Sequence, residues 1–195
     1  MLMDEIKAGT TFTLGIKQPY RVDTNPTLGF CSLGIQKILL LIGNGKGQSI
    51  VFIPHVPNMV NFYEPLQNED IMSANFTGCV MSTYKVNDKR RIGHVHTGEG
   101  ISCRPAMKNE IETGGLTIIK TFKPYDDEDV ALYKKYSPKF TNFTTFGVVT
   151  AKNEQFSIFT KKPTAHSNEY TVIKVKEQKN QPNEFTVKGL FDSIR

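Results

Sequence analysis

The chain has 195 residues, of which 38% are hydrophobic and 22% charged. That length suits one domain with a sizeable core, and the composition excludes collagen-like and disordered classes. The net charge is +5 and the pI is near 9.0. Both raise nucleic acid as a partner, but the lysines are scattered over different segments, so no specific nucleic-acid binding is expected.

In chain order, Met1 to Ala8 reads as a short helix. Strands are expected at Phe12–Ile16, Ile35–Ile42 and Ser49–Ile53 from their β-branched content. Between the last two, Gly43-Asn44-Gly45-Lys46-Gly47 reads as a hairpin turn, since no helix signal follows to make it a phosphate loop. Asn68 to Met72 reads as a helical turn. Cys79–Val86 and Ile92–Thr97 read as two strands joined by the polar run Asn87-Asp88-Lys89-Arg90. The cluster Lys89-Arg90-Arg91 is then a solvated loop tip. Further strands are expected at Leu116–Thr121, Thr144–Thr150, Phe156–Thr160, Thr171–Val175 and Glu184–Val187. Acidic residues from Asp126 open the strongest helix signal, which runs to about Lys135. The sum is an α+β fold: a β-sandwich of mostly antiparallel strands with a few flanking helices. Residues 1–195 form a single catalytic domain on this reading, with a mobile tail from about residue 177.

The longest apolar run, Ile38 to Ile42, is too short to span a membrane. The N-terminus lacks the basic-then-apolar build of a signal peptide. A soluble monomer is expected, with any export by a dedicated machine. The three cysteines, Cys31, Cys79 and Cys103, have no metal-like spacing and argue against a disulfide framework. Cys31 reads as a small core residue. Cys103, before Arg104-Pro105, reads as a loop residue.

Cys79 is the residue with the clearest chemistry. It follows Gly78, which lacks a Cβ and leaves room over the sulfur. His96 comes seventeen positions later. Two antiparallel strands joined by a short turn bring the start of one beside the end of the other. Opposed Cβ atoms are then about 5 Å apart, which a thiol–imidazole hydrogen bond can span. Alternation places His94 on the same face as His96, so periodicity does not choose between them, while reach favours His96. A thiol beside an imidazole is the minimum kit for thiolate chemistry. No metal or other cofactor is expected, because no second pair of ligands stands near the two histidines. His55 and His166 read as surface or structural residues.

Thr77-Gly78-Cys79 with His96-Thr97-Gly98 resembles the Ser-Gly-Cys and His-Thr-Gly runs of the cytotoxic necrotizing factor deamidases. The chemoreceptor glutamine deamidase family is similar too, and its Cys-to-His spacing matches Cys79 to His96. In the necrotizing factors the spacing is two shorter, which by count selects His94, although Thr97-Gly98 favours His96. The broadest likeness is to the Burkholderia lethal factor-like family of single-domain toxins. It includes Gly9–Leu14, Gly45–Pro54 and Phe146–Thr150 and spans most of residues 8–178. That family carries a Thr six residues before its cysteine, and here the position is Ser73.

The resemblance implies a deamidase toxin-like fold and a secreted effector working in the host cytosol. Its substrate would be a host protein bearing a reactive Gln, such as a translation-initiation helicase or a Rho-type GTPase. Cys79 would attack the side-chain amide carbon, His96 would protonate departing ammonia, and Ser73 would fix the histidine tautomer. The Cys79 backbone N–H is the expected oxyanion donor. A transglutaminase or cysteine protease would use the same pair, and a non-enzymatic basic β-rich binding module would leave Cys79 buried. Substrate contacts are expected on the rims at 19–30, 55–65 and 98–107.

Overall fold

A computed structural model describes residues 2–16, 22, 29–43, 45–97, 103–125, 129–136 and 142–178. After helix α1 (Leu2–Glu5) come strands β1 (Thr11–Leu14), β2 (Phe30–Cys31), β3 (Gln36–Ile42), β4 (Lys46–Ile53), β5 (Val60–Tyr63) and β6 (Ile71–Ala74). Strands β7 (Val80–Val86) and β8 (Lys89–Val95) precede helix α2 (Cys103–Glu112) and strand β9 (Leu116–Phe122). Helix α3 (Val130–Tyr136) leads to β10 (Phe143–Val149), β11 (Gln155–Lys161) and β12 (Glu169–Glu177).

The strands divide into two units. Seven close into a barrel in the order β1-β12-β11-β10-β6-β4-β3, so the barrel has no open edge. All its pairs are antiparallel except β4 with β6. Alternation fills the interior: on β3, Ile38, Leu40 and Ile42 point in, while Leu39 and Leu41 point out. They meet Phe12, Phe52, Phe146 and Tyr170 in one continuous core. The second unit is a five-stranded sheet in the order β2-β5-β8-β7-β9.

The sheet packs against the barrel wall. Val51, Ile53, Ile71 and Val149, from β4, β6 and β10, meet Cys79, Met81, Ile92 and Phe122 of the sheet side. On the far face, Val60, Val80, Tyr84 and Val95 are covered by Cys103 and Met107 of α2. Barrel wall, sheet and helix are thus three layers. Each large apolar side chain buried between them stabilises the fold by about 1.5–3 kcal/mol.

The mostly β, mostly antiparallel expectation matches the fold, but the strands form a closed barrel beside a sheet rather than two facing sheets. The difference comes from strands that sequence pattern misses. β6 is four residues long and buried on both faces, so it shows no alternation, and the helical turn expected at Asn68–Met72 gives way to it. β5 carries Asn61, a poor strand former, fully buried. Its amide oxygen accepts from the Leu33 N–H at 2.9 Å and the Cys31 thiol at 3.4 Å. Its nitrogen donates to the carbonyls of Leu33 at 3.0 Å and Pro54 at 2.8 Å. Cys31 is half-buried on strand β2.

The β7–β8 turn is only two residues, Asn87 and Asp88, both with positive φ, the pattern of a tight hairpin turn. Lys89, Arg90 and Arg91 therefore lie in β8 and not at a loop tip. The Arg91 side chain pairs with Glu64 at 2.8 Å and lies over Phe62. Cys103 opens a helix and not a loop, because proline is tolerated in a helix's first turn. The expected strand at Glu184–Val187, the tail beyond 178 and the acids Asp126–Glu128 lie outside the described residues.

Candidate active site

β7 and β8 pair with Val80 opposite Val95. One step outward, Cys79 stands opposite His96, as the hairpin predicts. The junction is pinned by Thr97, whose buried hydroxyl donates to the Gly78 carbonyl at 2.7 Å. Several contacts hold His96. Its backbone N–H donates to the Met59 carbonyl at 3.2 Å. Its Nδ1 accepts the Asn58 N–H at 2.8 Å. Its carbonyl accepts the Cys103 thiol at 3.0 Å.

Cys79 is 7% exposed. Gly78 is not among the residues with positive φ, and it does not leave the sulfur open to solvent. Burial pushes the thiol up to about 11, while the backbone N–H groups of Thr97 and of Cys79 itself pull the other way. The resting side chain is a protonated thiol at neutral pH.

His55, read from sequence as surface or structural, belongs to the site. It follows β4, and its ligand atom, the Cys79 sulfur and that of His96 all lie within 4.8 Å of one another. Its sequence neighbours offer no signal for this. The position is set by Asn61, which holds the Pro54 carbonyl, and by the Val22 N–H, which donates to the His55 carbonyl at 3.0 Å. No family model, no curated protein and no solved structure matches this chain.

Ser73 sits beside His94, where sequence reading set it to orient His96. Its hydroxyl lies 2.6 Å from the Ile53 carbonyl and 2.8 Å from His94 Nδ1. A carbonyl only accepts, so the single hydroxyl proton goes to Ile53, and His94 Nδ1 must be the N–H donor to Ser73. His94 Nε2 is then a bare lone pair, buried without a hydrogen-bond partner among the described residues. The ring stacks on Phe76 with centroids 4.2 Å apart. Burial, and then its neighbours His55 and His96, hold His94 well below the ordinary histidine range, so it stays neutral.

A cleft of about 670 Å³ opens beside this group. Its walls include His55, Phe76, Thr77, Tyr125, Tyr133 and Phe143, so the cluster borders it through His55, with Cys79 and His96 set behind. That is a mostly apolar recess with a few polar groups, the usual build of a binding site. A thiol with two imidazoles is also a ligand set of zinc type. Metal ligation needs a ring lone pair, however, and His96 has committed the one on Nδ1 to Asn58. With the proton then on Nε2, an ion would have to break that bond. Of the expected rims, 98–102 and most of 19–28 lie outside the described residues, while 103–107 begins α2.

Proposed function

We propose that the protein is a glutamine deamidase acting on another protein, with Cys79 as nucleophile. The observation that carries this reading is the convergence of one thiol and two imidazoles at the side of an aromatic-lined cleft. The Gln side chain enters the cleft. The sulfur attacks the amide carbon as an imidazole of the cluster takes the thiol proton. The same proton passes to the amide nitrogen, the C–N bond breaks and ammonia leaves. Water then adds to the thioester carbon, the C–S bond breaks, and Glu and the thiol are released.

The resemblance of Thr77-Gly78-Cys79 and His96-Thr97-Gly98 to the deamidase toxins supports this reaction and a host protein as substrate. A deamidase-like character of the fold is part of the same proposal. Transglutamination and peptide cleavage share the acyl-enzyme and differ in the second nucleophile or the leaving group. The burial of Cys79 favours one rival, a binding module whose thiol is inert.

The test is ammonia release from native host proteins, with Gln-to-Glu conversion mapped by mass spectrometry. Cys79→Ser is the blank, and a primary amine is added in a parallel reaction. Acid products that need Cys79 and persist with amine present support deamidation. Amine incorporation supports transglutamination. No product above the blank removes the enzyme reading.

A further inference from the structure

We propose that His55 is the proton acceptor and donor for Cys79, and that His96 serves the site as a fixed hydrogen-bond donor. This rests on the thiol-nucleophile reading above and divides its roles.

The division follows from proton counting. A neutral imidazole has one N–H and one acceptor nitrogen. His96 Nδ1 accepts the Asn58 N–H at 2.8 Å, so its proton sits on Nε2. Taking a second proton would set an Nδ1–H against the Asn58 N–H. The segment has little freedom to yield, since the His96 backbone is tied to Met59. His96 is therefore a poor base and a good donor. His94 has the opposite polarity, with its lone pair on Nε2. It is sealed against Phe76, however, and stands outside the group that converges on the sulfur.

His55 meets the remaining requirements. It is within the same 4.8 Å group as the sulfur, it is half-buried, and it lines the cleft where a leaving amine would stand. Its ring centroid is 4.9 Å from that of His94 and 5.0 Å from that of His96. Among the described residues, the titratable groups around it include Cys79, His94 and His96 from the hairpin, with Tyr125 and Tyr133 on the cleft wall.

The proton path closes. His55 takes the thiol proton as the S–C bond forms and gives it to nitrogen as the C–N bond breaks. It next takes a proton from water as the new C–O bond forms. It returns that proton to sulfur as the C–S bond breaks. The His96 Nε2–H stabilises the negative charge that develops on sulfur and on the carbonyl oxygen.

The experiment is the rate of Cys79 alkylation by iodoacetamide against pH in wild type, His55→Gln and His96→Gln, each checked for folding by its melting curve. Histidine tautomers in the wild type are read by nitrogen-15 NMR. Wild type should show a neutral-pH limb of reactivity. His55→Gln should lose that limb, leaving only the rise toward high pH. His96→Gln should lower the rate about tenfold or less, at every pH alike, because a glutamine amide supplies part of the lost donor. NMR should show His96 as the Nε2–H tautomer. A limb lost in His96→Gln and kept in His55→Gln, or an Nδ1–H tautomer at His96, would overturn the proposal while leaving Cys79 as nucleophile. A wild type with no neutral limb would remove both readings.

Discussion

Thr97 closes the site by one hydrogen bond, and removing it has a calculable cost. Thr97→Val keeps the shape and deletes the hydroxyl that donates to the Gly78 carbonyl at 2.7 Å. Thr97 is 3% exposed and Gly78 is half-buried, so water replaces the lost donor only in part. A buried acceptor left unpaired costs about 1–3 kcal/mol. For a chain of this length each kcal/mol lowers the melting temperature by about 2–4 °C, so a fall of roughly 2–12 °C is expected. Thr97→Ser keeps the hydroxyl and loses one methyl, at about 0.8 kcal/mol. The expected order of stability is wild type, then Thr97→Ser, then Thr97→Val, read by thermal and urea unfolding followed by circular dichroism. The released Gly78 carbonyl also loosens the Cys79 backbone, so Cys79 alkylation by iodoacetamide should change in Thr97→Val and less in Thr97→Ser. If Thr97→Val melts with wild type, or above Thr97→Ser, the hydroxyl does not clamp the junction and the reasoning fails.

Other outcomes follow from the same contacts. Cys79 is raised to about 11 in the fold, against an ordinary thiol near 8.5. A raised acid disfavours its charged form in the folded state, so stability is intact below the ordinary value and falls as pH rises toward about 11. Cys79→Ser should flatten part of that alkaline loss in urea titrations, and an unchanged slope would count against the burial argument. At Gly147 an added Cβ would lie 2.9 Å from the Met81 sulfur and from Pro124 Cγ, and 3.1 Å from Phe76. Gly147→Val should therefore destabilise by about 1–3 kcal/mol and disturb the His94 ring signals, because Phe76 is displaced. Asn61→Leu removes the partner of the Leu33 groups, which water can reach, and of the buried Pro54 carbonyl, and should cost about 1–3 kcal/mol. A melting temperature equal to wild type would show those groups find other partners. Ser73→Ala should free His94 to exchange tautomers in NMR, whereas a sole Nδ1–H form would mean Ser73 does not set it.

The hairpin was the most legible part of the chain. Its β-branched strands and polar turn give the direction of pairing, and pairing alone puts Cys79 across from His96. Most barrel strands were legible for the same reason, as in β3, where Ile38, Leu40 and Ile42 alternate with exposed neighbours. β6 was hidden because burial on both faces erases alternation, and β5 because Asn61 acts through its side-chain bonds rather than its propensity. His55 was hidden because its neighbours in space come from segments far apart in the chain. The closure of β4 onto β6, together with the Asn61 bonds, carries it to the hairpin. The partner of Ser73 was misread because a six-residue spacing gives no information on which of two histidines faces it.

The burial of Cys79 acts as a depth gauge. On the proposed reading the sulfur is met by a side chain that reaches in past the rim of the cleft, since Cys79 is buried. Asparagine is shorter than glutamine by one carbon–carbon bond, about 1.5 Å. An asparagine in the same exposed loop of a target would carry its amide that much less deep. A glutamine set flat in a helix or strand of the target would also reach less deep. Selection among the many glutamines of a cell would then be made first by reach and only afterwards by the sequence around them.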